Sequence, residues 1–488
     1  MQEELAAVSA VAHPVVVRFS PGPSFSVVRK FLLHAAVAGL LVLQGWAAEE
    51  AARTFGDSVG LNVKFSQGQP MSELPLLKEL GVKWVRDSVD WPVMEPEAGK
   101  YADFPPAFRE RLIYYRETGI GVVFGLWYAN AKAYPNTPEH PHHSVDAAAY
   151  GRYAAAMARL LRESGVRFVL EVWNEPHNFV LKKMLGGEWQ GKPPSPWVDH
   201  YVEMVRAAVT QVKAADPQAR LIAGDDMWVV ADWFLEKGLP PELDALGVHP
   251  YAPQGPEMTA VDQATDWAKP FTLTDADRSL RSAVRRLREQ AHLKMGRTPA
   301  IWATEWGWKV GDKTPHGPAS EDMVAALLPR TFITSAAAGV EVVCWFSMQD
   351  SVDGAMGLRK NDGKSRPAYA AFRTMTNVLG NTKLMRQIIG QDHPVSGVQG
   401  YLFRGPDSWK LAVWNIDGES VMVLDRKGSA PLAIQDVQGR PVPASEGKDG
   451  RTRLKVSPSP IYVSGLSADV SLEPEAPAGS PAPAYLFP

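Results

Sequence analysis

Residues 168–176 read FVLEVWNEP, and this stretch carries the pattern that decides the fold. An apolar run of strand length ends abruptly in a turn that bears an amide and a carboxylate. A second stretch of the same kind, residues 300–308, reads AIWATEWGW. Around both of them, short β-branched or aromatic runs alternate with longer amphipathic segments. This alternation is typical of β-α units repeated around a parallel sheet.

Eight such runs occur between residues 60 and 346, and eight is the number of strands in a (β/α)8 barrel. They are Gly60–Phe65, Val82–Ser88, Gly121–Trp127, Phe168–Trp173, Arg220–Gly224, Ala245–His249, Ala300–Glu305 and Val340–Phe346. A doubly wound open sheet would alternate in the same way, but it usually has a glycine-rich phosphate turn after its first strand, and none follows the first run here. We therefore predict an α/β fold with a (β/α)8 TIM barrel.

The character of the sequence changes near residue 397. Short alternating strands follow, separated by turn residues, and Asp417-Gly418 is a hairpin-type turn. The last residues are rich in Pro, Ala and Ser, which favours disorder. We predict a leader at residues 1–48, the barrel at 49–385, a small C-terminal all-β sandwich-like domain at 390–466 and a disordered tail at 467–488.

The N-terminal segment has the features of a secretory signal. Arg29 and Lys30 precede an apolar run, Phe31–Leu43, and the small residues that suit cleavage follow at 45–48. The run is shorter than the ~20 residues that span a bilayer, so a permanent transmembrane helix is disfavoured, and an uncleaved membrane anchor stays as the alternative. We therefore expect a secreted or periplasmic protein with no stable membrane span beyond this segment.

Composition excludes several classes of protein. The 488 residues are 45 % hydrophobic and 22 % charged, as in ordinary globular domains, and the net charge is −3 with no long run of either sign. Nothing here indicates a nucleic-acid partner. Cys344 is the single cysteine, so the chain has neither an intrachain disulfide nor a site of several thiolates.

Two glutamates follow strands four and seven of the predicted barrel. Active sites of such barrels form at the carboxyl ends of the strands, which is where Glu175 and Glu305 stand. Cleavage of a glycosidic bond needs one protonated carboxyl group and one ionised carboxylate. A gap of about 5.5 Å between them gives retention of the anomeric configuration and about 6.5 to 9.5 Å gives inversion, and the sequence does not measure that gap.

Asn174-Glu175-Pro176 after a β-rich run, with Glu305 130 residues later, resembles the clan A retaining glycoside hydrolases. The residues Trp91, Glu95-Pro96, Gly99, Tyr101 and Phe104 resemble the second βα loop of its family 39. Residues 135–138, PNTP, resemble bacterial family-39-like endoglycosidases that cut exopolysaccharide. The resemblance implies a glycosidase that cleaves β-glycosidic bonds in a polysaccharide by double displacement.

The resemblance also implies a role for each matching residue. Glu175 would be the general acid/base, and Glu305 would be the nucleophile. Arg86, at the end of the second strand, would help to keep the nucleophile ionised. Asn174 would bind the sugar 2-hydroxyl, an interaction that strengthens in the transition state.

Further residues are implied as substrate-binding groups. Tyr251 is expected to donate a hydrogen bond to the nucleophile, with His249 nearby. Trp345 is expected to form the floor under a pyranose ring, and Trp127 to extend such a platform, because a flat apolar face suits the C–H side of a sugar. Tyr128, Trp189, Trp306 and Trp308 are weaker candidates for the same role.

Two other classes of function remain as alternatives. One is a non-catalytic carbohydrate-binding protein on a glycosidase barrel, against which the presence of both glutamates argues. The other is a metal-dependent hydrolase, but His249 is the only histidine at a predicted strand end, and His140, His142 and His143 have no acidic residue at a recognised ligand spacing, so we predict no metal. Two carboxylates and water complete the reaction, so we predict no cofactor. The identity of the sugar, and the choice between endo and exo action, depend on loop shape.

Overall fold

The computed structural model describes residues 53–177, 179–187, 195–225, 228–258, 277–315, 317–426, 431–447 and 449–475. The predicted leader and the end of the predicted tail lie outside these residues, as do Trp189 and much of the segments 178–196 and 252–269. Within the described part of the chain, no helix combines the length and the apolarity needed to cross a membrane.

Eight parallel strands close into a barrel, so the predicted fold class is confirmed. Going round the barrel, the order is β1, β8, β7, β6, β5, β4, β3, β2 and back to β1. The strands are β1 Val59–Asn62, β2 Trp84–Asp87, β3 Gly121–Leu126, β4 Phe168–Val172, β5 Arg220–Asp225, β6 Ala245–Val248, β7 Ala300–Trp306 and β8 Val342–Trp345. A separate two-residue hairpin, Lys313–Thr314 with Gly317–Pro318, follows β7.

Helices fill the connections between the strands. They are α1 Leu76–Glu79, α2 Trp91–Met94, α3 Pro106–Thr118, α4 Ala147–Ser164, α5 Phe179–Leu185, α6 Pro196–Ala215, α7 Trp228–Lys237, α8 Leu280–Met295, α9 Glu321–Ala338 and α10 Pro367–Leu379. Capping side chains begin several of them: Asp146 accepts from the Ala149 amide, and Ser279 from the Ser282 amide. The buried faces of these helices cover the outside of the barrel.

The interior of the barrel is apolar at one end and polar at the other. A cluster inside the barrel contains Trp84, Val123, Val169, Ile222, Ala245, Trp302, Val342 and Cys344. Because side chains alternate along a strand, the residue two positions later points into the barrel one layer higher. These residues are Arg86 on β2, Glu171 on β4 and Thr304 on β7, and all three are buried. The apolar layer therefore supports a polar layer at the carboxyl ends of the strands.

The C-terminal strands form two antiparallel sheets. One sheet has the order β9 Lys383–Ile389, β10 Val398–Arg404, β11 Trp409–Asn415, β16 Ile461–Leu466 and β13 Ala433–Asp436. The other has the order β14 Ser445–Glu446, β15 Thr452–Val456, β12 Ser420–Asp425 and β17 Ser471–Pro474. Leu402, Val413 and Leu424 belong to the apolar core between the sheets. The predicted small all-β sandwich-like domain is thus present.

The first sheet is buried on both faces. Leu402 and Val413 point into the sandwich, whereas their neighbours Tyr401, Phe403 and Trp414 belong to the same apolar core as the barrel. The ring of Phe403 packs edge-on against Phe55, at the start of the barrel, with 5.5 Å between ring centroids. The all-β domain therefore shares its hydrophobic core with the barrel.

Two predicted boundaries need correction. β9 pairs with β10, so residues 383–385, which we assigned to the barrel, belong to the β-sheet. β17 pairs with β12, so 471–474 form a strand inside the segment that we predicted as a disordered tail. The Pro-rich composition beyond 475 concealed this short strand, because four residues are too few to show an alternating pattern.

Glycines at the polar end of β5 and β6 are expected to be essential for the fold. In a Gly224→Ala variant the new Cβ would lie 1.9 Å from the carbonyl oxygen of Gly247 on the neighbouring strand. We expect a loss of about 3 kcal/mol or more in the free energy of unfolding, measured by urea denaturation. Gly68→Ala is the control, because it meets no atom within 4 Å and has only its positive φ to strain it; about 1 kcal/mol is expected there. Equal losses in the two variants would contradict this account.

Candidate active site

Arg86 organises the polar layer at the mouth of the barrel. Its Nε lies 2.5 Å from Glu171 Oε2, and its Nη2 donates to Asn174 Oδ1 at 2.6 Å. Its Nη1 donates to Glu305 and, at 3.3 Å, to Asn62 Oδ1. Only 2 % of the Arg86 side chain is exposed. One guanidinium therefore joins side chains from β1, β4 and β7 and from the turn after β4.

Asn62 completes this network from β1. Its amide nitrogen donates to the carbonyl of Thr304 at 3.0 Å and to that of Cys344 at 3.2 Å, which fixes the direction of the Oδ1 that faces Arg86. Burial opposes the charge on the Arg86 guanidinium, but the carboxylates of Glu171 and Glu305 raise its pKa above the ordinary value, so it stays charged.

Glu305 lies in a strongly cationic environment. Burial opposes the ionisation of its carboxyl, but the positive charges of His249, Arg86 and Lys64 outweigh that effect and lower the pKa of Glu305. Tyr251 donates a hydrogen bond to Glu305 Oε2 at 3.2 Å. Burial raises the pKa of Tyr251 well above its ordinary value, and the nearby Glu305 raises it further, so the hydroxyl keeps its proton. Glu305 is therefore held as an ionised carboxylate.

The turn after β4 places Glu175 and Asn174 beside Glu305. Trp173 and Glu175 both have positive φ, 64° and 44°, which side-chain-bearing residues rarely adopt. Such strain persists where the surroundings fix it. Here the Tyr150 hydroxyl accepts from the Trp173 amide at 2.9 Å, and the Tyr201 hydroxyl donates to the Val172 carbonyl at 3.0 Å.

His249 is the partner of Glu175. Its Nδ1 lies 2.9 Å from Glu175 Oε1, and its Nε2 lies 3.0 Å from Thr304 Oγ1. Burial disfavours the charged imidazole, yet the carboxylates of Glu305 and Glu175 raise the pKa of His249 to about 9. At neutral pH both ring nitrogens therefore carry protons, and His249 can donate to Glu175 and to Thr304.

The two glutamates are close together but have different surroundings. Carboxylate oxygens of Glu175 and Glu305 and a ring nitrogen of His249 all lie within 4.8 Å of one another. Glu305 contacts Arg86 and Tyr251, whereas Glu175 contacts His249. A small pocket next to Glu175 is lined by Glu171, Asn174, His249 and Thr304, and the glycines of β5 and β6 leave room for it.

The predicted aromatic platforms differ in accessibility. Trp127 is partly exposed at the end of β3, and the Arg86 guanidinium lies 4.6 Å from the centre of its ring. Trp345, by contrast, is fully buried and packs against Trp308 at 5.9 Å between centroids. The predicted sugar floor at Trp345 is therefore corrected, since it has no exposed face. Trp306 and Trp308 are buried as well, whereas Tyr128 is partly exposed.

Four residues of the site were not predicted from sequence: Asn62, Lys64, Glu171 and Thr304. Lys64 follows β1, and its Nζ lies 4.1 Å from the ring centre of Phe346 and 3.7 Å from Asp353. Burial lowers the pKa of Lys64, and Glu305 opposes that shift. Glu171 carries a detectable signal: it is the one charged residue in the apolar run of β4, and it shares the inward face with Val169.

Within the described part of the chain, Glu175, His249 and Glu305 are also the side chains grouped closely enough to hold a metal ion. The Arg86 guanidinium already binds Glu305, so a divalent cation would meet a fixed positive charge there. His140 and His143 have ring centroids 5.3 Å apart on the exposed loop after β3, and that loop is not part of this group.

Comparison with known proteins supports the fold. No family model matches the sequence, and no curated protein is similar to it. A family 39 glycoside hydrolase from Bacteroides cellulosilyticus WH2 superposes with a TM-score of 0.66 at 20 % identity, covering 84 % of this chain and 81 % of that one. A family 39 β-xylosidase from Caulobacter crescentus gives 0.54 at 16 % identity, covering 85 % and 96 %.

A family 30 endoxylanase from Clostridium papyrosolvens C71 gives a TM-score of 0.55 at 12 % identity, covering 84 % of this chain and 96 % of that one. The family 39-like resemblance predicted from the sequence is therefore confirmed at the level of the fold. The chain has the barrel and all-β architecture that these glycoside hydrolases share, and two glutamates stand at its mouth.

The charge on His249 generates a prediction about stability and pH. The pKa of His249 is raised from 6.5 to about 9 in the folded state. Protonation of His249 therefore contributes fully to the free energy of unfolding below pH 6.5, and this contribution is lost as the pH rises through about 9. The stability advantage of the wild type over His249→Asn should therefore shrink by on the order of 2–3 kcal/mol across that window. Urea denaturation at several pH values measures this difference. The difference for Tyr251→Phe should stay constant there, and a difference for His249→Asn that is flat or grows with pH would contradict the assignment.

Proposed function

We propose that this protein is a retaining glycoside hydrolase that cleaves β-glycosidic bonds. One observation carries the proposal: two glutamates with oxygens within 4.8 Å of each other stand at the mouth of the barrel, and each has its own hydrogen-bonding partners. Retaining enzymes have carboxyl groups about 5 to 5.5 Å apart, whereas inverting enzymes need more room for a water molecule. The short separation favours double displacement.

In the first step, an oxygen of ionised Glu305 attacks the anomeric carbon while the glycosidic bond breaks. The leaving oxygen takes its proton from the carboxyl group of Glu175. Arg86 and Tyr251 hold the nucleophile in place by two hydrogen bonds. Glu175 becomes a carboxylate in this step, and the protonated imidazole of His249, 2.9 Å away, stabilises the new charge.

In the second step, Glu175 removes a proton from water, and the water oxygen attacks the anomeric carbon of the covalent intermediate. The bond to Glu305 breaks, and both glutamates return to their starting states. Asn174 is positioned for the sugar 2-hydroxyl, because Arg86 holds its Oδ1 at 2.6 Å and Tyr128 also hydrogen-bonds its side chain, which together fix the direction of its amide group. The reaction requires no cofactor.

For the substrate we propose an oligo- or polysaccharide outside the cytoplasm, because the N-terminal segment resembles a secretory signal. Structurally similar proteins include a β-xylosidase and an endoxylanase, so β-linked sugars are the class to test first. Trp127 and Tyr128, partly exposed at the end of β3, are the aromatic surfaces available for stacking on a sugar ring.

The first experiment measures new reducing ends released from a panel of β-linked polysaccharides and chromogenic β-glycosides. Glu305→Gln should abolish turnover, and Glu175→Gln should lower it about 10²- to 10⁴-fold, because a general acid contributes about that much. Glu97→Gln, which alters an exposed glutamate, is the matched control and should match the wild type. A chelator should leave the rate unchanged.

Each outcome separates the alternatives. Cleavage that both active-site variants retain would reject this site, and inhibition by a chelator would favour the metal-dependent hydrolase. Sugar binding by wild type and Glu305→Gln alike, without cleavage of any substrate, would favour a carbohydrate-binding protein.

Stereochemistry tests the mechanism separately. The anomer formed first from a cleaved β-glycoside should be β, as seen by proton NMR before mutarotation, because two inversions restore the configuration. A chromogenic glycoside with a good leaving group should lose less rate in Glu175→Gln than one with a poor leaving group, since it needs less proton assistance. Initial appearance of the α anomer would reject double displacement.

A further inference from the structure

The segment that follows β6 carries both a contact to the nucleophile and an anchor in the all-β domain. Tyr251, near its start, donates to Glu305. Six residues later, Glu257 lies buried against α9 and the first β-sheet, with 2 % of its side chain exposed. The short segment 249–258 therefore connects the reacting centre of the proposed glycosidase to a distant part of the fold.

Three hydrogen bonds hold the Glu257 carboxylate. Arg330 on α9 donates from Nε to Oε1 at 2.8 Å and from Nη2 to Oε2 at 2.7 Å. The indole nitrogen of Trp414 on β11 donates to Oε1 at 3.0 Å. Arg330 also donates to the carbonyl of Pro458, which precedes β16, at 3.2 Å. The all-β domain thus donates a hydrogen bond to the Glu257 carboxylate and accepts one from its counter-ion, Arg330.

The backbone of this segment is tied down at the same place. The Leu280 amide, at the start of α8, donates to the Glu257 carbonyl at 2.9 Å. Gly255 has φ +139°, and a Cβ there would lie 3.2 Å from Glu257 Oε2 and 3.4 Å from Arg330 Nη2. A glycine at 255 therefore permits both the turn and the close approach of the ion pair.

Such an arrangement is sensitive to the loss of one donor. A buried carboxylate needs its hydrogen-bonding capacity filled, and a missing donor is compensated by movement of the group or by entry of water. Glu257 is six residues from Tyr251 in a segment without regular secondary structure, so the backbone between them is the route by which a displacement of Glu257 would reach the tyrosine.

We infer that Trp414 is a positioning residue for catalysis: through Glu257, the all-β domain fixes the Tyr251 hydroxyl on the nucleophile Glu305. The catalytic half of this inference rests on the proposed function. Trp414 lies in the C-terminal domain and acts only through Glu257 and the segment that carries Tyr251. The all-β domain is then part of the catalytic apparatus as well as part of the shared core.

The test variant is Trp414→Phe, which removes the indole N–H but keeps an aromatic ring next to Tyr401. In the wild type the rings of Trp414 and Tyr401 are stacked with 5.3 Å between their centroids. Lys410→Met is the matched control. Lys410 is also on β11, and its Nζ donates to the Val378 carbonyl of α10 at 2.6 Å, so this variant removes a different bond between the same two domains. Neither residue contacts Glu175 or Glu305.

The pH profile of kcat/KM is the first measurement. The hydrogen bond from Tyr251 stabilises ionised Glu305. Its loss in Tyr251→Phe should therefore shift the apparent pKa of the acidic limb upward by about one pH unit. Trp414→Phe should shift the same apparent pKa upward by a smaller amount and should lower kcat. Lys410→Met should leave the apparent pKa unchanged. The double variant Tyr251→Phe/Trp414→Phe should move no further than Tyr251→Phe alone, because the effect of Trp414 passes through Tyr251.

Hydrogen exchange gives a second measurement that needs no substrate. The Tyr251, Met258 and Leu280 amides, all hydrogen-bonded in this segment, should exchange faster in Trp414→Phe and at the wild-type rate in Lys410→Met. Unchanged exchange in Trp414→Phe would overturn the structural half of the inference. Faster exchange with an unmoved pH profile, or with fully additive shifts in the double variant, would overturn the catalytic half. If the wild type cleaves no glycoside, the proposed function fails, and the exchange data still decide whether the all-β domain holds this segment.

Discussion

The buried guanidinium of Arg86 is the constraint on which the rest of the active site depends. Glu171 and Glu305 approach it from different strands, and without its charge two carboxylates would face each other in a poorly hydrated interior, where ionisation is costly. A lysine could not replace it, because a single ammonium group cannot donate hydrogen bonds in fixed directions to acceptors on β1, β4 and β7. The position of Asn174, and with it the strained turn that presents Glu175, follows from the same contacts.

The second organising factor is the different set of partners around each of the two glutamates. Glu305 is surrounded by cations and a tyrosine hydroxyl, which favour its ionised form. Glu175 faces His249, whose imidazole is in turn held by Thr304 on the strand that carries Glu305. Glu175, His249 and Thr304 therefore form one hydrogen-bonded chain, and Glu175 and Glu305 lie a few ångströms apart with different partners.

Sequence reasoning reached the barrel because its strands are buried on both faces and read as uninterrupted β-branched and aromatic runs. It reached Glu175 and Glu305 as site candidates because both stand near the carboxyl ends of such runs, and it reached Arg86, His249 and Tyr251 through the resemblance to clan A glycoside hydrolases. The structure brings these five residues together.

Other features depend on three-dimensional packing and were not accessible in that way. Trp345 ends a strand, as a sugar platform would, but Trp308 packs against it, and a contact between a strand and a distant loop cannot be recognised in one sequence. Lys64 contacts Phe346 and Asp353 across the closure of the barrel between β1 and β8. The short β17 strand is recognisable only through its pairing with β12.

The sheet that is apolar on both faces also limits how this protein can be divided. Cut away from the barrel, it would present Tyr401, Phe403 and Trp414 to water as one contiguous patch, and such patches promote aggregation. The barrel alone would lose the cover over Phe55. The barrel and the all-β domain are therefore not interchangeable modules for gene fusion or recombination. Grafted peptides or extra domains are better tolerated on the outer sheet, whose turns face solvent at Gly418 and Gly450.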